Sequence, residues 1–218
     1  MNILVVDDHP MTVEGYINTL SNAPFGLNSP IFSRAHNCKE AYLKILNYRA
    51  IKKSFDIAII DKNLPAYEEN EILSGSDLAH FIREMMPDCK IIMITAHTEI
   101  IIVYEIFKNI KPDGFFIKND ITPEKLQEGL MQIIKGEPYQ SPMVKSCINE
   151  IWKKKLMVDD YNRQILIYLS KGFKIKELEE IIALTTSAIQ KRIIRMKDVF
   201  EVSDDSSLVK EAIKQGFI

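Results

Sequence analysis

Four short apolar runs, each ending on a residue that can do chemistry, constrain this chain more than any other feature. Asn2–Val6 runs into Asp7-Asp8, Ser54–Ile60 ends at Asp61, Lys90–Ile94 ends at Thr95, and Gly114–Ile117 ends at Lys118. Each run is too short for a helix and too uniformly apolar for a strand with one wet face, so each reads as a strand buried on both faces. Such strands belong to parallel sheets covered by helices, and ligands bind at the carboxyl ends of those sheets. A lone Asp at a strand end does no more than cap the next turn. Asp7, Asp8, Asp61, Thr95 and Lys118 delivered to one edge make a candidate site.

Three carboxylates at that edge repel one another, which raises at least one of their pKa values unless a cation is present. A hard divalent ion with oxygen ligands, most naturally Mg2+, relieves the repulsion. An ammonium and a hydroxyl opposite it suit the oxygens of a phosphoryl group.

Between the runs the spacing is helical. Met11–Leu20 carries Val13, Ile17 and Leu20; Lys39–Ala50 carries Ala41, Leu43, Ile45 and Leu46 for one buried face. A helix capped by Ser76-Asp77 is expected to about Met86, another from Thr98 or Glu99 to Asn109, and another from Pro123 to about Lys135. Pro30–Ala35 is expected as a further strand. Ser21–Pro30, with Pro24 and Gly26, is expected as a loop, and Pro65–Ser74 as a long solvated loop with Glu68, Glu69 and Glu71. The β-α alternation, repeated five times, predicts an α/β, doubly wound, five-stranded parallel sheet over residues 1–136.

Residues 137–157, with Pro138, Pro142 and Lys153-Lys154-Lys155, read as a linker in which Val144–Trp152 has helical character. Residues 158–218 read as a small all-α domain, with helices at Tyr161–Leu169, Ile175–Ile182 (Leu178, Ile181 and Ile182 apolar) and Ser187–Phe200. In the last, Ile189, Ile193, Met196 and Phe200 form the buried stripe, and Lys191, Arg192, Arg195 and Lys197 lie off it. Residues 1–150 carry 15 basic against 20 acidic residues and 151–218 carry 13 against 10, a modest asymmetry that permits a nucleic-acid partner. From Asp159 onward the charge is balanced.

Cys38, Cys89 and Cys147 have no metal-ligand spacing and fit a reducing cytoplasm. No apolar run approaches a membrane span, so a cytoplasmic location with no membrane partner is expected. No P-loop or dinucleotide glycine pattern offers a nucleotide site.

Val6-Asp7-Asp8-His9-Pro10 with Glu14-Gly15, Asp61 with Leu64-Pro65, Thr95-Ala96, and Phe115 three residues before Lys118 together resemble the receiver domain of bacterial two-component response regulators, NarL/LuxR subfamily. Leu184–Val202 is similar, more loosely, to that subfamily's helix-turn-helix output domain. It departs in having Phe200-Glu201-Val202 where the family usually has Leu-Gly-Val, and Ile194 where a polar or basic groove contact is expected. The resemblance implies that Asp61 is phosphorylated by a sensor histidine kinase. It implies that Asp8, Asp61 and the Asn63 backbone carbonyl ligate Mg2+, with Asp7 acting directly or through a water. Lys118 and Thr95 would meet the phosphoryl group, and Phe115 would be the switch aromatic. It also implies a phosphorylation-dependent homodimer and double-stranded DNA contacts from Thr186, Gln190, Lys191, Arg192 and Arg195. The expected function is therefore a response regulator controlling transcription, and not an enzyme. The alternative is a phosphorylation-gated regulator whose helical domain binds a protein. A phosphoaspartate hydrolase is disfavoured, because Asn63 stands where those enzymes carry a second acid.

Overall fold

The computed structural model describes residues 1–23 and 29–218, and in the helix ending at Val158 the side chains of Lys154, Met157 and Val158 are left aside. Pro24 and Gly26 of the expected loop lie outside the described residues. The chain divides into two compact units, Met1–Cys147 and Ile148–Ile218.

The first unit is built on strands β1 (Asn2–Val6), β2 (Ile31–Ala35), β3 (Ile57–Asp61), β4 (Lys90–Thr95), β5 (Gly114–Ile117) and β6 (Tyr139–Gln140), in the order β2-β1-β3-β4-β5-β6. Every pairing is parallel. The helices are α1 (Pro10–Ser21), α2 (Cys38–Ala50), α3 (Gly75–Met85), α4 (Ile100–Ile110) and α5 (Pro123–Ile134). Ile3, Val5, Ile57, Ile59, Ile92, Ile94 and Phe116 pack with Val13, Ile17 and Leu20 of α1 and with Leu126, Leu130 and Ile133 of α5. The alternate residues, such as Leu4, Ile60, Met93 and Phe115, point to the opposite face and are equally buried. Burying an Ile or Phe of this kind contributes about 2 kcal/mol, so the strands hold the edge where they all end.

Where the structure differs from expectation, packing gives the reason. The stretch expected as a linker contains β6, a sixth strand, followed by α6 (Pro142–Val158). Tyr139 stacks on Phe116 with ring centroids 4.9 Å apart, in space left by Gly129, where a β-carbon would lie 2.6 Å from the Phe116 ring. Ser141 is fully buried and its hydroxyl accepts the Ile117 N–H at 3.3 Å. The division between the units falls inside α6.

Helix α3 is capped by Ser74, whose hydroxyl accepts the Asp77 N–H, rather than by Ser76-Asp77. Leu43 of α2 is 47% exposed and does not share the face of Ala41 and Ile45. The connection expected as a solvated loop is tethered: Tyr67 and Ile72 form an antiparallel bridge around a 3-10 turn at Glu68–Asn70, and Ile72 is buried. Glu68, Glu69 and Glu71 stay outside.

In the second unit, α7 (Asp160–Ser170), α8 (Ile175–Ile181), α9 (Thr186–Phe200) and α10 (Asp205–Lys214) close around Ile165, Leu166, Leu178, Ile182, Leu208, Ala212 and the expected stripe Ile189, Ile193, Met196 and Phe200. Leu156 of α6 belongs to the same core. Asp159, Thr185 and Asp204 cap α7, α9 and α10 through their side-chain oxygens. Of the three apolar residues named for α8 and its end, Leu178 and Ile182 are buried and Ile181 is 41% exposed. Helix α10 falls within the stretch expected as all-α, beyond the last individual helix expected there.

Candidate functional site

The strand register brings the expected residues to one edge. Val6 of β1 pairs with Ile60 of β3, so Asp7 and Asp61 leave neighbouring strands at the same level. Asp61 pairs with Ile94 and Thr95 with Ile117, which places Thr95 and Lys118 on the other side of Asp61. Lys118 Nζ lies 2.7 Å from Asp61 Oδ1 and 2.8 Å from Asp7 Oδ2, bridging the two buried carboxylates.

The remaining Asp61 oxygen, Oδ2, accepts the Asn63 N–H at 2.7 Å. Burial raises the Asp61 pKa; the hydrogen bond and charge of Lys118 pull it down, the Asp7 charge pushes it up, and the net direction is upward. Burial lowers the Lys118 pKa, but the two carboxylates outweigh it and hold the ammonium protonated beyond its usual range. Tyr16 is pushed up by burial and by the charges of Asp7 and Asp61. Thr95 is fully buried, and its hydroxyl oxygen accepts the His97 N–H at 3.1 Å. Phe115 is inward and 1% exposed.

Asp8 sits apart from the bridge, with its side chain 35% exposed and Oδ1 2.8 Å from His9 Nδ1. Asp7, Asp8 and His9 bring ligand atoms within 4.8 Å of one another. Asp7 Oδ1 accepts the His9 N–H, while Asp7 Oδ2 is buried and makes its ion contact to Lys118 without an aligned hydrogen bond. A buried carboxylate oxygen short of a hydrogen bond, in a donor set dominated by carboxylates, fits a hard divalent cation. His9, quoted in the sequence motif but given no role, is the neighbour that sequence reasoning missed. At Asn63 the structure records the N–H to Asp61 and a side-chain nitrogen 3.2 Å from His97 Nε2.

In the second unit the expected contact residues separate. Gln190, Lys191 and Arg195 are exposed on α9, on the same side as Ile194, which is 55% exposed. Arg192 does not join them: its Nη1 donates to Asp159 Oδ2 at 2.9 Å and to Asn162 Oδ1 at 2.8 Å. It is drawn back because Asn162 is buried and its oxygen needs a donor. The Thr186 hydroxyl donates to Glu179, and Lys197 pairs with Asp205.

A doubly wound parallel sheet with acids, a hydroxyl and a lysine at its carboxyl edge, followed by a small helical unit, defines a receiver-type regulator. Residues 3–131 match the response regulator receiver domain family, and the chain belongs to it. The probable transcriptional regulatory protein NarL of Mycobacterium tuberculosis is 24% identical over 224 residues, covering 100% of this chain and 96% of that protein. The response regulator UvrY of Escherichia coli is 22% identical, covering 99% and 95%. The fold is similar to that of the Salmonella typhimurium RcsB response regulator (TM-score 0.58, 18% identity, 98% of each chain) and to that in an RcsB–DNA complex (TM-score 0.57, 19% identity, 98% of each chain). No helix among the described residues is long and apolar enough to cross a membrane.

Proposed function

We propose that this response regulator accepts a phosphoryl group on Asp61 from a histidine kinase and controls transcription through duplex DNA bound by α9. The observation that carries the reading is the Lys118 bridge, which ties Asp61 to Asp7 at the carboxyl edge of the sheet. One Asp61 oxygen attacks phosphorus; the bond from phosphorus to the kinase imidazole nitrogen breaks, and its electron pair leaves with the imidazole. The product is an acyl phosphate, whose oxygens Lys118 and the Thr95 hydroxyl would meet. Asp7, Asp8 and Asp61, with the Asn63 carbonyl, would hold Mg2+, which when bound screens the carboxylates from one another and from the incoming phosphoryl group. The homodimer is proposed on the same footing, as the state that phosphorylation favours.

The curated relatives that span the whole chain include a transcriptional regulatory protein, and a complex with DNA is known for the RcsB fold. Both support output through DNA. A protein-binding output is the second reading, favoured by exposed Ile194 on α9 and by the pairing of Arg192 and Lys197 within their own unit. A salt-dependent DNA-binding titration with and without a phosphoryl donor separates the two. Binding that strengthens on phosphorylation and weakens with salt supports DNA output; no binding in either state moves the reading to a protein partner.

A further inference from the structure

The sequence treats the segment before α7 as a connection, yet the second half of α6 is built into the helical unit. Leu156 lies in its core, the Asn162 side-chain amide donates to the Leu156 carbonyl at 2.9 Å, and Asn149 donates to Glu201 on the far end of α9 at 2.8 Å. Between this half of α6 and α9 runs a cleft of about 450 Å³ lined by Trp152, Lys155, Asp159, Lys191, Arg192 and Arg195, among others.

Four basic side chains face one acid there, although the unit from Asp159 onward is neutral. Asp159 is taken by Arg192, so Lys155, Lys191 and Arg195 have no acidic partner among the described residues. The Lys155 and Arg195 cations lie 5.8 and 5.7 Å from the Trp152 ring, which holds them over an apolar floor. Lys191 and Arg195 are one turn apart on α9, so the cleft flanks the exposed row carrying Gln190 and Ile194. A helix lying in a major groove has a phosphate backbone along its flank.

We propose that this cleft grips the sugar-phosphate backbone of duplex DNA, with Lys155 and Arg195 on the phosphates and Trp152 against the sugars. The α6 segment is then part of the nucleic-acid interface. This rests on the reading that α9 binds DNA. It adds contacts from outside the helix-turn-helix, and these contacts are independent of base sequence.

Trp152 is the single tryptophan of the chain, so its fluorescence reports on this cleft alone. The full chain, before and after treatment with acetyl phosphate and Mg2+, is titrated with a short random-sequence duplex at several salt concentrations, and separately with inorganic phosphate. The expected result is a Trp152 emission change that tracks duplex binding. In Lys155→Ala the slope of log affinity against log salt should fall by about one, with circular dichroism and melting temperature unchanged. Duplex binding with a silent Trp152 and an unaltered slope in Lys155→Ala overturns the cleft and leaves DNA output standing. Absence of duplex binding at any salt in either state overturns both. If inorganic phosphate alone gives the emission change and duplex does not displace it, the cleft is a small-anion site and the proposal fails.

Discussion

Gly75 opens α3 with its backbone pressed against the carbonyl of Asp61: a β-carbon at Gly75 would lie 1.9 Å from the Asp61 oxygen and 2.9 Å from the carbonyl carbon. The Gly75 N–H also donates to the Lys62 carbonyl at 3.0 Å, so the start of α3 and the end of β3 form one packed unit. Any side chain there must displace the backbone that carries the candidate phosphoacceptor. Gly75→Ala is expected to cost about 1–3 kcal/mol by overpacking and to slow labelling of Asp61 in the fraction that folds. A urea melt alongside an acetyl phosphate labelling assay checks it, and wild-type values in both would show that the contact is not tight.

Lys118 compensates two buried carboxylates at once. Lys118→Met leaves both without a cation, and breaking a buried pair from one side costs about 3 kcal/mol. The deficit depends on pH. Burial raises the Asp61 pKa in the folded protein, so folding takes up a proton between the unfolded and folded values, and stability falls as pH rises through that window. Removing Lys118 takes away the strongest influences that lower Asp61 and extends the window upward. Urea midpoints of the variant should therefore approach wild type as pH falls toward the ordinary carboxylate range and diverge toward neutrality. Added Mg2+ should recover part of the loss at neutral pH. A deficit independent of both pH and Mg2+ would contradict the bridge.

Thr95 and Phe115 are both buried beneath the site, with the Thr95 hydroxyl held by the His97 N–H. Phe115 carries no phenol, so a switch through it rests on packing alone. Thr95→Ala should leave Asp61 competent for labelling while abolishing phosphorylation-dependent association. Sedimentation of the labelled wild type and variant tests this; identical association in both would sink the coupling.

On α9 the neighbours Lys191 and Arg192 should behave differently. Lys191→Ala should weaken duplex binding, by about 1–3 kcal/mol if it meets a base edge, without changing stability. Arg192→Ala should lower stability, by about 1–3 kcal/mol, because the buried Asn162 oxygen loses its donor. Paired measurements of melting temperature and duplex affinity separate the roles, and interchanged effects would show that Arg192 is the residue available to DNA.

The sheet and its edge could be read from the sequence because strand burial and strand endings are local patterns: four apolar runs each stop at the residue that matters, and the register then does the rest. The buried stripe of α9 was readable for the same reason, as steps of four, three and four carry their own period. What escaped was decided by partners distant in sequence. Pro138 and Pro142 look like linker residues until Tyr139 is seen stacked on Phe116 in the space left by Gly129. Arg192 looks like Lys191 until Asn162, on another helix, supplies an acceptor that draws it in. Gly75 carries no local mark of its contact with Asp61.

The central claim is that Asp61 alone accepts the phosphoryl group. Incubation of the wild type with acetyl phosphate and Mg2+, followed by intact mass measurement, should show one added phosphoryl group that is lost on mild alkaline treatment and absent in Asp61→Asn. Equal labelling of Asp61→Asn, with the same stoichiometry, would contradict the account.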